Sequence, residues 1–448
     1  MVFARGTPRE SLIIRLFTKR HLATILFNKP LNPRLAIICM AAASVGLSMV
    51  LISIAKLLLV VCSLATLLFA RLRPAPSHVL PGLRTPVLLL LAFFTFGLSL
   101  LWTAAPQIEA LSAVAKYGKL VMLVLMVLLI RTRRDALYAL TAFAAAQLFL
   151  LLSSWMLFVG LPVPWATSNM ALTGYAVFSS YLDQGIMGAV FAAICWHFRD
   201  LVPGRFGRRL AIAVALLALG NVFFVLTGRT GHLVAIALLS LAAMWELPRR
   251  YRLGAVLLPF ALVAALFFGS PAVHQRVVQA KKELQTFSFQ KGTDIVNVGV
   301  SSSSGIRLHF WHRALQSIRD NPLLGSGAGS WASEYNRLEQ LDRANYNPVK
   351  EGNPHQEYLL WGVQLGIPGI LLLCALMISI LKDTIKMERS YARATQSALL
   401  GLAIACMFNA SLYDALIGDF FCILTGLLLA LGLRTDAAPV SPPPGGPA

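Results

Sequence analysis

Apolar residues are gathered along this 448-residue chain into long stretches that short polar segments separate. A helix that crosses a bilayer needs about 20 mostly apolar residues, because the hydrocarbon core is about 30 Å thick and a helix rises about 1.5 Å per residue. Twelve stretches approach that length, and Lys56 is the only charged residue that marks a division between the first two. They cover residues 35–51, 55–70, 86–102, 114–130, 136–159, 175–198, 210–226, 230–245, 253–268, 361–381, 394–410 and 415–433. The pattern predicts an all-α, polytopic membrane protein with about 12 transmembrane helices.

One polar stretch, residues 269–360, is long enough to form a domain-sized loop. Within it, Ser304 is placed to cap a helix whose apolar residues recur near helical spacing, and Asn321-Pro322 ends that helix. A second amphipathic helix is expected after the glycine-rich segment 325–331. That segment is either a tight turn or a turn that binds phosphate through backbone N–H groups at a helix N-terminus, and the sequence leaves both readings open.

The other segments complete the predicted organisation. Residues 1–34 form a basic N-terminal segment, residues 35–268 the first nine transmembrane helices, and residues 361–433 the last three. Residues 434–448, which end in SPPPGGPA, have the composition of a disordered tail.

Charge then gives the chain an orientation. Charged residues make up 13% of the sequence, against about 25% in an average soluble domain, which excludes a soluble protein. The net charge of +20 would suggest nucleic acid as a partner if the basic residues shared one surface. Most of them instead fall in alternate connections between the predicted helices, as the positive-inside rule requires of cytoplasmic segments. We therefore expect both termini in the cytoplasm, the long loop outside, and no nucleic acid as a partner.

Cysteine and histidine spacing gives no sign of a metal centre. All six cysteines lie inside apolar stretches and no CxxC pair occurs, so we expect neither a zinc site nor a disulfide framework.

Several polar residues lie at the outer ends of predicted helices, where ionisable groups are costly. Arg229 stands in a very short outer turn before a helix N-terminus, a combination that suits an anion, although snorkelling to lipid headgroups is the alternative. Lys116 and Lys119 share one face at the start of the fourth stretch, where snorkelling explains them equally well. Five further polar residues have two roles that the sequence leaves open: they bind substrate, or they join helices by hydrogen bonds. They are Tyr181, Asp183 and Gln184 in the sixth stretch, and Asp414 and Asp419 at the last.

Motifs in the second half of the chain occur in a recognisable order. They are GRTG at 228–231, Arg307, Trp311, NPLLG at 321–325 with Gly327 and Gly329, NPHQEYL at 353–359, LGIPG at 365–369, NASLYD at 409–414 and DFF at 419–421. With the span count and the long loop, they make the chain resemble the O-antigen ligase family, membrane glycosyltransferases that share a domain with O-antigen polymerases and protein O-oligosaccharyltransferases. Ligases often have Asn after the loop histidine, where this chain has Gln356.

The resemblance implies a reaction and a place for it. A ligase transfers a glycan from undecaprenyl diphosphate to a sugar hydroxyl of lipid A-core, on the periplasmic side of the bacterial inner membrane, with no cofactor and no metal. It implies that Arg229 and Arg307 hold the diphosphate and that His355 is the general base. We expect the surrounding substrate contacts to come from Lys116, Lys119, Tyr181, Gln184, Arg313, Asn353, Gln356 and Asp414.

Other functions stay open on sequence alone. An O-antigen polymerase or a protein O-oligosaccharyltransferase would use the same donor and differ only in the acceptor. A secondary transporter with 12 spans is the alternative from another class, but the unexplained charges gather at the outer ends rather than at the bilayer midplane, and no clear internal repeat is visible.

Overall fold

The computed structural model describes residues 32–72, 82–269, 303–343 and 346–434, together with Val278 and Lys281. Predictions for the N-terminal segment up to residue 31, for most of residues 270–302 and for the tail lie outside the described residues. The principal helices are α1 (Pro33–Ser44), α2 (Met49–Leu68), α3 (Thr85–Leu98), α4 (Gln107–Tyr117), α5 (Lys119–Leu129), α6 (Arg133–Phe158), the short α7 (Ala171–Gly174), α8 (Tyr181–Phe198), α9 (Gly204–Gly220), α10 (Arg229–Glu246), α11 (Arg252–Gly269), α12 (Ser303–Asp320), α13 (Trp331–Asp342), α14 (Glu357–Thr384), α15 (Arg389–Phe408) and α16 (Ala415–Leu433).

The all-α class and the membrane character predicted from the sequence are confirmed. From the third onward, each predicted apolar stretch coincides with one helix or, for 114–130, with the consecutive helices α4 and α5. Within the part of the chain that the structure describes, six helical segments are long and apolar enough to cross a membrane by length and composition. They are Met49–Leu68, Gln107–Leu129, Arg133–Phe158, Gly204–Val225, Glu357–Thr384 and Ala415–Leu433. The total of 12 spans stays a prediction.

The predicted boundary between the first two helices is wrong. The chain breaks at Gly46, which has a φ of 84°, and α2 begins at Met49 after its cap Ser48. Glycine adopts this left-handed conformation without a Cβ penalty, so it ends α1 before the predicted stretch does. Lys56 lies inside α2, where its Nζ pairs with the buried Asp419 at 2.8 Å and its charge is compensated.

Helix α16 lies at the centre of the molecule. Every residue from Leu416 to Gly432 is buried, and a helix that is apolar on all sides belongs in the interior. Its closest neighbour is α5, which passes Gly426 so closely that a Cβ there would lie 2.8 Å from the carbonyl oxygen of Leu123. The start of α16 therefore brings Asp414 to a fixed position beside α5.

Helix α14 is broken near its start, and the glycine-rich turn fills the break. Gly366 has a φ of 71°, and Pro368 lacks the N–H that would bond Gln364. The turn supplies the missing donors: the N–H of Ser326 bonds the carbonyl of Val363 at 2.8 Å, and that of Gly327 bonds the carbonyl of Gln364 at 3.0 Å.

The remaining N–H groups of the turn are also used. Ala328 N donates to Ser99 Oγ at 3.0 Å and Gly329 N donates to Gln364 Oε1 at 2.9 Å. Of the two readings that the sequence left open, the tight turn is the one the structure supports, because these donors are not available to a phosphate.

Both amphipathic helices predicted in the polar stretch are present as α12 and α13. Phe310, Ala314 and Ile318 form the buried face of α12 and pack toward α14. Contact there is close, since a Cβ on Gly362 would lie 2.5 Å from Ile318 Cδ1. Helix α12 is thereby fixed against the helix that follows the loop histidine.

Candidate active site

His355 has an unusual backbone conformation. Its φ is 53°, in the left-handed region, and a residue other than glycine is held there at a cost of about 1–3 kcal/mol. Asn353 stabilises the turn, because its Oδ1 accepts the His355 N–H at 2.8 Å. Such conformations cluster at functional sites, where a side chain must point in one direction.

Helix α12 and the turn before α16 hold the imidazole ring from two sides. Phe310 stacks on the ring with centroids 6.2 Å apart and planes 24° apart. On the other side, Nδ1 lies 3.4 Å from Asn409 Oδ1. Trp311 ties the backbone of the same loop to α12, since its Nε1 donates to the carbonyl of Pro354 at 3.1 Å. The ring therefore has a fixed orientation.

Glu357, the first residue of α14, fixes the turn that connects α15 to α16. Its side chain is fully buried, and Oε2 accepts the N–H groups of Leu412 at 2.8 Å and Tyr413 at 3.1 Å. Oε1 accepts Trp361 Nε1 at 2.8 Å and lies 3.4 Å from the Tyr117 hydroxyl. In the sequence Glu357 stands out only as part of the NPHQEYL motif; the signal for its role is an acidic residue at the start of an apolar helix.

The predicted lysines and Asp414 come together at this turn. The buried Lys119 donates from Nζ to the carbonyl oxygens of Tyr413 at 3.1 Å and Asp414 at 2.5 Å. The exposed Lys116 lies with its Nζ 4.2 Å above the Tyr413 ring. Asn353 Nδ2 donates to Asp414 Oδ1 at 3.3 Å, which joins the turn to the histidine loop.

The Asp414 carboxyl responds to these surroundings. Burial raises its pKa above the ordinary value, while the charges of His355, Lys119 and Lys116 and a hydrogen bond from Asn409 act in the opposite direction. Burial disfavours a carboxylate, and neighbouring positive charge favours it. The positive charges of His355 and the two lysines thus act to stabilise the ionised form of Asp414.

Arg229 and Arg307, the two predicted diphosphate ligands, also lie close to each other. Arg229 is the exposed first residue of α10, and Arg307 is half-buried on α12, one turn before the Phe310 that stacks on His355. Burial, and then the positive charge of Arg229, lower the pKa of the Arg307 guanidinium, which Tyr181 acts to raise. Among the described residues, no carboxylate oxygen lies within 4.0 Å of Arg307. An anion between the two arginines would relieve their repulsion.

Three other predicted substrate contacts hold the fold. Arg313 pairs with Glu339 at 2.6 Å and Asp342 at 2.7 Å, which joins α12 to α13. Gln184 accepts the N–H of Val177 at 2.9 Å through Oε1. Gln356 caps α14 by accepting the N–H of Leu359. Each of these side chains therefore has a partner within the fold, and their contact with substrate stays a prediction.

Taken together, the site joins residues from four parts of the chain. Arg307, beside Arg229, lies one helical turn before Phe310, which stacks on His355, and the charges of His355 and the two lysines act on Asp414. This arrangement can hold a polyanion next to a histidine. Among the described residues, no three His, Cys, Asp or Glu side chains are placed to hold a metal ion.

Comparison with models of protein families matches residues 213–374 to O-antigen ligase. The match confirms the resemblance carried by the sequence motifs and includes Arg229, Arg307 and His355; Asn409 and Asp414 lie beyond it. A search of curated proteins finds no match. The matched family is one of membrane glycosyltransferases of the ligase and polymerase type.

Proposed function

We propose that the protein is an O-antigen ligase, which transfers a glycan from undecaprenyl diphosphate to a sugar hydroxyl of lipid A-core at the periplasmic face of the bacterial inner membrane. The observation that carries the proposal is the juxtaposition of Arg229 and Arg307 with His355, inside the range that matches the family. Both substrates are lipids, which fits a site at the end of apolar helices.

The arginine pair would bind the leaving group. When the bond between the anomeric carbon and the diphosphate breaks, negative charge develops on the phosphate oxygen. Guanidinium groups bind phosphate through paired, charge-assisted hydrogen bonds, each worth about 1.5–3 kcal/mol. Because Arg307 is half-buried and faces a like charge, it is prepared for an anion before substrate arrives.

His355 would act on the acceptor. The sugar hydroxyl oxygen attacks the anomeric carbon while the glycosidic bond to the diphosphate breaks, and the hydroxyl proton passes to the imidazole. Histidine suits this step because its ordinary pKa of about 6.5 lies near the working pH. With Nδ1 directed at Asn409, the opposite ring nitrogen, Nε2, is the one that would receive the proton.

The remaining polar residues would complete the substrate contacts. Lys116 is exposed and can reach an anionic group, whereas the Nζ of Lys119 is used to hold the backbone of the turn before α16. Asn353 and Asp414 border His355 and would orient the acceptor hydroxyl. Tyr181 lies near Arg307 and would contact the donor.

A variant at His355 tests the catalytic assignment. His355→Ala is expressed in cells whose own ligase gene is deleted, beside a matched His312→Ala control on α12. We expect both proteins in the membrane, polymer-bearing lipopolysaccharide with the control, and none with His355→Ala. Full lipopolysaccharide modification by His355→Ala would remove this residue from catalysis.

The acceptor distinguishes a ligase from its relatives. An O-antigen polymerase would return the glycan on a longer undecaprenyl-linked chain, and a protein O-oligosaccharyltransferase would return it on protein. Recovery of labelled glycan on lipid A-core supports the ligase.

A further inference from the structure

Asn409 lies between the loop histidine and the acidic residue before α16. Its Oδ1 is 3.4 Å from Nδ1 of His355. Asn409 follows the last residue of α15 and Asp414 precedes α16, so the two residues are the first and last of one short turn. The Asn409 side chain also acts to lower the pKa of the Asp414 carboxyl.

This placement fixes the direction of the hydrogen bond to the ring. The Asn409 side chain directs its oxygen, Oδ1, at Nδ1 of His355. An amide oxygen only accepts hydrogen bonds, so Nδ1 of the neutral ring must carry the proton. The lone pair of the imidazole is then on Nε2.

The backbone of the turn is held rigidly enough to keep this direction. Glu357 binds the N–H groups of Leu412 and Tyr413, and Lys119 binds the carbonyl oxygens of Tyr413 and Asp414. The N–H of Asn409 itself bonds Ala405 O at 2.9 Å in the last turn of α15. The buried Glu357 and Lys119 side chains thereby fix the backbone of the turn that Asn409 begins.

We propose that Asn409 is a positioning residue, whose Oδ1 accepts the hydrogen bond from Nδ1 of His355 and keeps the imidazole in the tautomer with its lone pair on Nε2. The catalytic consequence rests on the proposed function, in which Nε2 receives the acceptor proton. The tautomer itself does not depend on that function.

Nitrogen NMR tests the tautomer directly. Protein labelled with ¹⁵N-histidine is measured in lipid bilayers near pH 8, above the ordinary pKa of histidine of about 6.5, and the His355 signals are assigned by their loss in His355→Ala. We expect a protonated Nδ1 and an unprotonated Nε2 in the wild type. Asn409→Leu, which keeps the size but removes the hydrogen bonds, should give a mixture of tautomers.

A conservative variant separates positioning from folding. In Asn409→Asp the side chain keeps its size and an oxygen that accepts directly from Nδ1. We expect this protein to keep the wild-type tautomer and to transfer more glycan than Asn409→Leu. Asn409→Leu should lower kcat by about a hundredfold, the scale of general-base catalysis, with little change in the KM for donor.

Asn336→Leu is the matched control, since its amide bonds the backbone of Val349, and it should leave the His355 signals unchanged. A protonated Nε2 in the wild type, or an unchanged tautomer in Asn409→Leu, would overturn the inference. If the tautomer changes as expected but His355→Ala still transfers glycan, Asn409 positions the ring and the general-base role in the proposed function is wrong.

Discussion

Replacing Arg307 by alanine should weaken use of the lipid-linked donor and leave the protein folded. Arg307 is half-buried, is acted on by the like charge of Arg229, and has no carboxylate within 4.0 Å among the described residues. Its removal therefore breaks no ion pair of the fold. What is lost is a partner for the diphosphate.

The expected size follows from the hydrogen bonds that the guanidinium would make. One charge-assisted bond is worth about 1.5–3 kcal/mol, and a difference of about 1.4 kcal/mol is tenfold. We expect kcat/KM for the donor to fall about 10- to 150-fold in Arg307→Ala. Arg307→Lys keeps the charge but loses the planar fork, so it should recover only part of the loss.

Purified variants are assayed for transfer over a range of donor concentrations, with thermal unfolding measured on the same samples. Arg319→Ala is the matched control, because Arg319 is exposed on the same helix, about three turns beyond Arg307. It should leave both stability and the KM for donor unchanged. Wild-type donor kinetics in Arg307→Ala, or equal donor defects in both variants, would refute the diphosphate role.

Three further predictions concern the support of the site. Glu357→Ala leaves four buried donors without an acceptor and should lower the free energy of unfolding by about 3–5 kcal/mol in denaturant titrations; unchanged stability would contradict this. Gly327→Ala, at a φ of 84° and with its Cβ 2.3 Å from a backbone atom, should prevent stable accumulation in the membrane, whereas Gly352→Ala, with no atom within 4 Å, should accumulate normally. Burial raises the pKa of Glu339, but hydrogen bonds and charges from its cationic partners outweigh burial and lower it. Its contribution is therefore present above the ordinary carboxyl pKa of about 4.3 and lost as pH falls through the folded value. Glu339→Gln should lower the melting temperature at pH 7, and the difference should shrink as pH falls below the ordinary carboxyl pKa and through the lower folded value; a constant difference would contradict the assignment.

Helix positions were predictable because they depend on local composition. A run of apolar residues long enough to cross a bilayer has few alternatives to a helix, since every backbone polar group must be satisfied within the segment. The boundary at Gly46 was not predictable from polarity, because Lys56 is the only charged residue in this region. Lys56 lies inside a helix, where its charge is compensated by Asp419 far along the chain.

Contacts within the site were less predictable. Arg229, Lys116 and Asp414 could be singled out, because charges at the outer ends of apolar helices are costly wherever they occur. Arg307 was given only by the family resemblance. Their mutual arrangement depends on contacts between distant segments. The same holds for Asn409, whose amide acquires a meaning only when Asp414 and a histidine 54 positions away come within reach.

Transfer by the purified protein tests the central claim most directly. The protein is placed in lipid nanodiscs with undecaprenyl-diphosphate-linked glycan and lipid A-core, in the presence of a metal chelator and without nucleotide. The account predicts glycan attached to lipid A-core, with one undecaprenyl diphosphate released for each chain transferred. No transfer, or glycan recovered only on the donor lipid or on protein, would contradict it.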